Sequence, residues 1–109
     1  DFPEFAARAA VKIIGEESGD ARAILLCGGG QGMAMAANRF HGIRASVIWD
    51  SEEARLTRND NDSNVLCLPS RVLEGNEVEW KRIVDTWIET PFAAAERYRR
   101  RNRQLDELA

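Results

Sequence analysis

The stretch Ala23-Ile-Leu-Leu-Cys-Gly-Gly-Gly-Gln-Gly-Met-Ala-Met-Ala-Ala-Asn38 decides the fold, because an apolar strand ends in a cysteine and passes through a glycine turn into a helix. Glycine permits positive φ angles and lets a ligand approach the backbone closely. The free N–H groups at the start of the helix point at whatever binds there. This order predicts an anion-binding loop at residues 28–32. The thiol of Cys27 is expected to face the same pocket and to be favoured there as the thiolate.

The loop differs from the two best-known glycine motifs. No Lys-Ser or Lys-Thr pair follows the last glycine, which excludes a P-loop, and the spacing is Gly-x-Gly-x-Gly rather than the dinucleotide pattern. Asp50 ends the next predicted strand about twenty residues on, so a dinucleotide site stays open as an alternative. A second alternative is a tight strand-to-helix turn that holds a buried, inert Cys27 and binds no ligand.

Length and composition indicate a single globular domain. The chain has 109 residues, of which 44% are hydrophobic and 30% charged, so disordered and collagen-like classes are excluded. The net charge of −3 predicts no general affinity for nucleic acid or for acidic membranes. No apolar run approaches membrane-spanning length and the amino terminus carries no signal-peptide pattern, so we expect a cytoplasmic protein.

The sequence predicts no metal site. Its two cysteines, Cys27 and Cys67, and its one histidine, His41, are not spaced as zinc ligands. Cys67 interrupts an apolar run and is predicted to lie in the core. His41 stands in the turn Phe-His-Gly after a helix, where we expect a solvated side chain.

Helical and strand patterns alternate along the chain and predict one compact α/β unit. Helices are predicted at residues 4–17, from the glycine loop to Phe40, from Asp50 to about residue 60, from Asn76 to about Thr90, and from Pro91 to about Leu105. Strands are predicted at 21–27, 43–49 and 64–68. Two capping-box patterns support the helix starts, namely Asp50 with Glu53 and Asn76 with Glu79. The helix that precedes Pro91 is expected to bury one stripe of side chains: Trp80, Ile83, Val84, Trp87 and Ile88.

The last predicted helix is rich in arginine, with Arg97, Arg99, Arg100, Arg101 and Arg103. Such a density is usual for a solvated face, and a nucleic-acid surface is the functional alternative. The acidic remainder of the chain argues against nucleic acid. Arg97 and Arg101 are four residues apart and share one face of the helix, so together they can clamp one phosphate group.

Seven segments, taken together, resemble the type B ribose-5-phosphate isomerase family, which includes the galactose-6-phosphate isomerase subunits. They recur in family order: Asp1-Phe-Pro-Glu-Phe-Ala6, Leu26-Cys-Gly-Gly-Gly-Gln-Gly-Met33, Ala36-Ala-Asn38, Gly42-Ile-Arg-Ala45, Ala54-Arg-Leu-Thr-Arg-Asn-Asp-Asn-Asp-Ser-Asn-Val-Leu66, Ser70-Arg-Val72 and Arg97-Tyr-Arg-Arg-Arg101. The resemblance implies a three-layer α/β/α sandwich around a parallel, Rossmann-like sheet. It also implies a metal-free aldose–ketose isomerase of sugar phosphates that needs no cofactor. The expected assembly is a homodimer or a dimer of dimers, with an active site shared between copies.

The resemblance further implies a role for each matching position. Family members with a cysteine at the position of Cys27 use its thiolate to move a proton between C1 and C2, so Cys27 is the expected base. Other members place a Glu where Met33 stands, so the chain is similar to the cysteine branch. The backbone N–H groups expected to hold the enediolate oxygen belong to Gly28, Gly29, Gly30, Gln31 and Gly32. Asn61 is expected to contact the sugar, and Arg71, Arg97 and Arg101 the phosphate.

Three positions depart from the family pattern. Gly29 replaces a Thr or Ser near the sugar, Asp60 replaces the ring-opening histidine, and Tyr98 replaces a histidine on the phosphate side. Asp60 is nevertheless the expected second catalytic residue, unless the substrate arrives with its ring already open. A non-catalytic module that binds a sugar phosphate or a nucleotide through the same loop and arginines stays open as an alternative.

Family members also carry a strand–helix–strand segment before the first matching residues. We therefore expect residues 1–109 to form a single isomerase-like domain that is the C-terminal portion of a longer chain. A sheet without that first strand is expected to show a long unpaired edge.

Overall fold

The computed structural model describes residues 1–108 and has the predicted α/β architecture. Its helices are α1 (Phe2–Ile14), α2 (Gln31–Ala37), α3 (Ser51–Asn61), α4 (Ser70–Leu73), α5 (Glu77–Glu89) and α6 (Glu96–Asp106). Its strands are β1 (Ala23–Cys27), β2 (Ala45–Val47) and β3 (Val65–Pro69). Within residues 1–108, no helix is both long enough and apolar enough to cross a bilayer.

The three strands form one parallel sheet in the order β1-β3-β2. The central strand, β3, is buried along its whole length. Leu25 of β1 pairs with Cys67 and Cys27 pairs with Pro69, so β1 and β3 end at the same level. Ligands of open parallel sheets bind outside the carboxyl ends of the strands. Cys27 and the loop after it lie at that edge of the sheet.

Helices cover both faces of the sheet and complete the predicted three-layer sandwich. Successive residues of β3 point to opposite faces. Val65 and Cys67 pack on the side of α1 and α2, whereas Leu66 and Leu68 pack on the side of α3, α4 and α5. The first core also contains Ala6, Ala10, Leu25, Met33, Ala34, Ala37 and Ile43, and the second contains Ile48, Ala54, Leu73, Ile83 and Trp87. The core positions predicted for Met33 and Cys67 are confirmed.

The predicted bounds of the first and last helices were wrong. α1 spans Phe2–Ile14 rather than residues 4–17, and it ends where the Gly15 N–H donates to the carbonyl of Val11. α6 begins at Glu96 rather than at Pro91. Ala94 has a φ of 57°, in the left-handed region, which interrupts a helix started at the proline. β1 and β2 are shorter than predicted, and β3 has the predicted length but is shifted by one residue, to Val65–Pro69.

Both predicted capping boxes form their first hydrogen bond. The Asp50 carboxylate accepts from the Glu53 N–H at 2.8 Å at the start of α3. The Asn76 side chain accepts from the Glu79 N–H at 3.2 Å at the start of α5. These bonds satisfy N–H groups that the helices leave free, and they fix the residue at which each helix begins.

The apolar stripe of α5 is only partly buried. Ile83 and Trp87 are buried as predicted, and Val84 is half-buried. Trp80 is 39% exposed and Ile88 55% exposed, so the prediction was wrong for these two residues. Both side chains lie near Ile24, on the part of β1 that no other element in residues 1–108 covers.

Candidate active site

Cys27 is the last residue of β1 and is half-buried at the carboxyl end of the sheet. The N–H of Gly30 donates to its Sγ at 3.1 Å. Gly30 is also the residue that precedes α2, so the first free N–H groups of this helix start beside the sulfur. A hydrogen bond donated to sulfur stabilises negative charge on it. The arrangement is suited to a thiolate that exchanges a proton with a bound molecule.

The glycines of the loop are not equally necessary. Gly30 has a φ of 73°, and a Cβ there would lie 3.1 Å from Cγ1 of Val47, so both the backbone and the packing require glycine. A Cβ on Gly32 would lie 2.7 Å from the ring of Phe2. At Gly29 the nearest atom to an added Cβ is 3.8 Å away, at Gln31, which is an ordinary contact. The loop therefore has room for a side chain at position 29.

Cys67 lies on the same face of the sheet but has a different environment. Its side chain is fully buried, and burial, together with the nearby Cys27, raises the pKa of the Cys67 thiol to about 12. At neutral pH it stays protonated and has no access to a ligand. Of the two cysteines, Cys27 is the one placed to react.

Arg71 belongs to the same region as Cys27. Its N–H donates to the carbonyl of Gly28 at 3.0 Å, because α4 begins directly after β3 at the carboxyl end of the sheet. Its guanidinium lies against Gly28, where an added Cβ would be 2.7 Å from Nη2. We call Cys27, residues 28–32 and Arg71 the carboxyl-end cluster.

Asp60 and Asn61 lie at the amino end of the parallel strands, opposite to the end at which Cys27 lies. α3 starts after the carboxyl end of β2 and runs back to the level at which β3 begins. The Asn59 Nδ2 donates to the Asp60 carboxylate at 2.8 Å. Asn102 of α6 donates to the carbonyl of Asn61 at 3.0 Å, so α6 is attached to this end of α3.

A buried polar network holds this end of α3 in place. Arg58 is buried, and its guanidinium donates to Asp62 at 2.8 Å, to the Ser63 carbonyl at 2.6 Å and to the Thr90 carbonyl at 3.1 Å. The indole of Trp87 donates to the Ser63 hydroxyl at 2.9 Å. These bonds connect the end of α3 with the end of α5 and thereby hold Asp60 and Asn61 in position.

Arg97 and Arg101 are exposed on α6. The guanidinium of Arg97 lies 4.4 Å from the ring centroid of Tyr98 and donates to its hydroxyl at 2.9 Å. Within residues 1–108, no carboxylate forms an ion pair with either arginine, whereas Arg103 pairs with Glu96. We call Asp60, Asn61, Arg97 and Arg101 the amino-end cluster.

One copy of the chain does not bring the two clusters together. α3 has 11 residues and separates them by its length, on the order of 16 Å. A small molecule beside Cys27 would therefore not reach Asn61 of the same chain. The predicted set of site residues is split by the fold into two groups, each of which is ordered within itself.

The structure adds two residues that the motifs left without a role. Asn59 orients the Asp60 carboxylate, and Ser70 is exposed at the carboxyl end of β3 beside Arg71. The sequence signal that could have identified Asn59 and Ser70 was their position next to the predicted site residues Asp60 and Arg71. His41 is exposed, as predicted. Among residues 1–108, no group of three or more His, Cys, Asp or Glu side chains is arranged to hold a metal ion.

A family model described as Ribose/Galactose Isomerase matches residues 1–105. The chain belongs to the ribose/galactose isomerase family. This agrees with the resemblance to type B ribose-5-phosphate isomerases that the sequence motifs indicated.

Similar curated proteins include enzymes named for two different sugar phosphates. Ribose-5-phosphate isomerase B of Escherichia coli (strain K12) is 44% identical over 88 residues, which are 81% of this chain and 56% of that protein. D-erythrulose-4-phosphate isomerase of Pectobacterium atrosepticum is 41% identical over 71 residues, which are 65% of this chain and 45% of that protein. The chain thus spans about half the length of these relatives.

Similar solved structures support the fold assignment. Ribose 5-phosphate isomerase of Thermotoga maritima matches with a TM-score of 0.89 and 41% identity, covering 99% of this chain and 71% of that chain. The structure of type B ribose 5-phosphate isomerase from Trypanosoma cruzi matches with a TM-score of 0.87 and 33% identity, covering 97% of this chain and 68% of that chain. The Rossmann-like α/β fold is therefore confirmed.

Proposed function

We propose that the protein is an aldose–ketose isomerase of sugar phosphates that interconverts ribose 5-phosphate and ribulose 5-phosphate without a metal or another cofactor. The observation that carries the proposal is the Cys27 sulfur at the carboxyl end of β1, hydrogen-bonded to the N–H of Gly30. Membership of a family with relatives named ribose-5-phosphate isomerase B supports the reaction class.

In the proposed reaction, the Cys27 thiolate removes the proton on the carbon next to the substrate carbonyl. The electron pair of the broken C–H bond forms a carbon–carbon double bond, and the carbonyl oxygen becomes the oxygen of an enediolate. The N–H groups of residues 28–32 stabilise the negative charge on that oxygen, since they are fixed in place before the charge develops. The thiol then returns the proton to the neighbouring carbon, and one proton moves between the two oxygens.

We propose that two copies share each active site. The carboxyl-end cluster of one copy supplies the base and Arg71, and the amino-end cluster of the other supplies Asn61 for the sugar and Arg97 and Arg101 for the phosphate. The separation of the two clusters within one chain supports this arrangement, which a homodimer or a dimer of dimers can provide.

A four-carbon sugar phosphate is the second candidate substrate. Opening a furanose ring requires a group that donates a proton to the ring oxygen, and an ionised carboxylate only accepts hydrogen bonds. Asp60 accepts from Asn59, so the observed geometry uses it as an acceptor. Gly29 and Tyr98 also depart from the family pattern, and a tetrose 4-phosphate cannot close to a furanose through a free hydroxyl. The relative from Pectobacterium atrosepticum is named for a tetrose phosphate.

The experiment measures isomerisation of four-, five- and six-carbon aldose phosphates by the wild type and by Asp60→His in the whole protein. Preference for ribose 5-phosphate, with faster turnover of the cyclic sugar in Asp60→His, fits the pentose reaction with slow ring opening. Preference for the tetrose phosphate, with no gain from the substitution, identifies the second candidate. Binding of sugar phosphates without turnover of any of them contradicts both and leaves a non-catalytic binding module.

A further inference from the structure

Tyr98 is the chain's one tyrosine and lies half-buried on α6. The Arg97 Nη2 donates to its hydroxyl oxygen at 2.9 Å, and the guanidinium carbon lies 4.4 Å from the centre of its ring. Because the hydroxyl is the acceptor in this bond, its own hydrogen is left for donation to a bound molecule. A guanidinium beside the oxygen also stabilises the phenolate that remains after the proton has left. Tyr98 therefore has the features of a proton donor.

Contacts on both sides of Tyr98 place it beside the amino-end cluster. The ring of Phe92 packs against the ring of Tyr98, with centroids 6.5 Å apart. The next residue, Ala93, donates from its N–H to the Asn59 carbonyl of α3 at 3.0 Å. Asn102, which donates to the carbonyl of the last residue of α3, follows Tyr98 by one helical turn on the same side of α6. Tyr98 consequently lies on the side of α6 that faces the end of α3.

Ring opening requires a proton donor, which Asp60 does not provide. The Asp60 carboxylate accepts a hydrogen bond from Asn59, and an ionised carboxylate has no proton to donate. In a furanose 5-phosphate the ring oxygen is bonded to C4, and C4 is bonded to C5, the carbon that carries the phosphate. A group beside an arginine that holds this phosphate is therefore close to the ring oxygen. Tyr98 stands in that position relative to Arg97.

We propose that Tyr98 is the general acid of ring opening, an inference that rests on the proposed function with ribose 5-phosphate as the substrate. The Tyr98 O–H gives its proton to the ring oxygen while the bond between C1 and that oxygen breaks, and the electron pair of the broken bond stays on the oxygen. The Asp60 carboxylate takes the proton of the C1 hydroxyl, and the electron pair of that O–H bond forms the carbonyl double bond. Water carries this proton from Asp60 to the Tyr98 phenolate, so both residues end as they began.

Interconversion of the two furanose anomers of ribose 5-phosphate tests the acid directly, because it passes through the open chain and needs no proton transfer at carbon. We expect the whole protein carrying Cys27→Ala to accelerate this interconversion, measured by NMR magnetisation exchange. Adding Tyr98→Phe keeps the ring beside Arg97 and removes only the hydroxyl, so the acceleration should fall about a hundredfold or to the rate in buffer. An undiminished acceleration would overturn the proposal, and so would the absence of any acceleration by Cys27→Ala. Neither result depends on whether Cys27 moves the substrate proton.

Turnover of two substrates by Tyr98→Phe alone separates acid catalysis from a role in holding Arg97. The value of kcat/KM should fall for ribose 5-phosphate and stay at the wild-type level for erythrose 4-phosphate, which has no furanose ring to open. Equal losses for both substrates would show that the hydroxyl only positions Arg97, and no loss for either would show that it takes no part. Both of these results overturn the proposal. A wild type that isomerises neither substrate contradicts the proposed function, whereas the anomer measurement still decides the role of Tyr98.

Discussion

Cys27 and Cys67 lie on the same face of the sheet in adjacent strands, and the difference in their burial assigns them different chemistry. Cys67 is fully enclosed among Val65, Leu25 and Met33 of the core, whereas Cys27 borders the loop and is hydrogen-bonded to Gly30. A buried thiol behaves as a small apolar side chain. Only the thiol at the end of the strand combines access with a stabilising N–H group.

The environment of Cys67 predicts a loss of stability at high pH. Its pKa is raised from 9.0 to about 12 in the folded protein, so between these values the unfolded chain loses the thiol proton while the folded chain keeps it. The free energy of unfolding should therefore be intact below pH 9 and fall above it by up to ~1.4 kcal/mol per pH unit. Urea unfolding at pH 8 and pH 10.5 checks this. Cys67→Ala should remove this part of the decline, and an identical decline in that variant would contradict the assignment.

At the level of helices and strands, the sequence was most informative where short-range signals act alone. The capping residues Asp50 and Asn76 marked two helix starts, because their side chains bond within the first turn. The start of α6 could not be predicted from Pro91, since it depends on the left-handed Ala94 and on the bond from Ala93 to Asn59, a residue distant in sequence. The exposure of Trp80 likewise depends on which elements cover β1, and a helical stripe carries no information on that.

The exposed Arg97 and Arg101 of α6 are expected to contribute specifically to phosphate affinity. Arg97→Met or Arg101→Met should remove a charge-assisted contact worth about 1.5–3 kcal/mol, and thus raise KM for a sugar phosphate roughly 10- to 100-fold. The affinity for the unphosphorylated sugar should barely change. Arg99→Met is the matched control, because Arg99 lies about 200° around the helix from Arg97 and also has no ion pair within residues 1–108. Equal losses for both ligands, or an equal effect of Arg99→Met, would show that these arginines form a solvated face or an interface.

At the scale of the whole molecule, the motifs identified the residue types of the site, but the fold decides which of them can meet. Asp60 and Asn61 are separated from Cys27 by the length of α3, and nothing local in the sequence gives that distance. The split of the site into a carboxyl-end and an amino-end cluster is consistent with the sharing between copies that the family resemblance implied.

If two copies of the chain share each active site, two variants that are inactive alone should restore activity when they form mixed dimers. Co-expression of Cys27→Ala with an Arg97→Met, Arg101→Met double variant should give mixed dimers in which one of the two sites is intact. Random pairing makes about half of the dimers mixed, and each mixed dimer has one intact site of two. Activity at low substrate concentration should therefore approach about a quarter of the wild-type value per chain. The separately expressed variants, mixed without exchange of subunits, provide the baseline. Activity no higher than that baseline would place all site residues in one chain.

Proton transfer by Cys27 is tested by the rate of deuterium exchange from D₂O into ribose 5-phosphate, or into the tetrose phosphate if that is the preferred substrate. In the whole protein, Cys27→Ala and Cys27→Ser should each lower this rate by at least roughly a hundredfold. Ser keeps an acceptor for the Gly30 N–H, so a loss in both variants separates chemistry from loop structure. Cys67→Ala should retain the wild-type rate in its folded fraction. Exchange at the wild-type rate in Cys27→Ala would show that a group other than the Cys27 thiolate moves the proton.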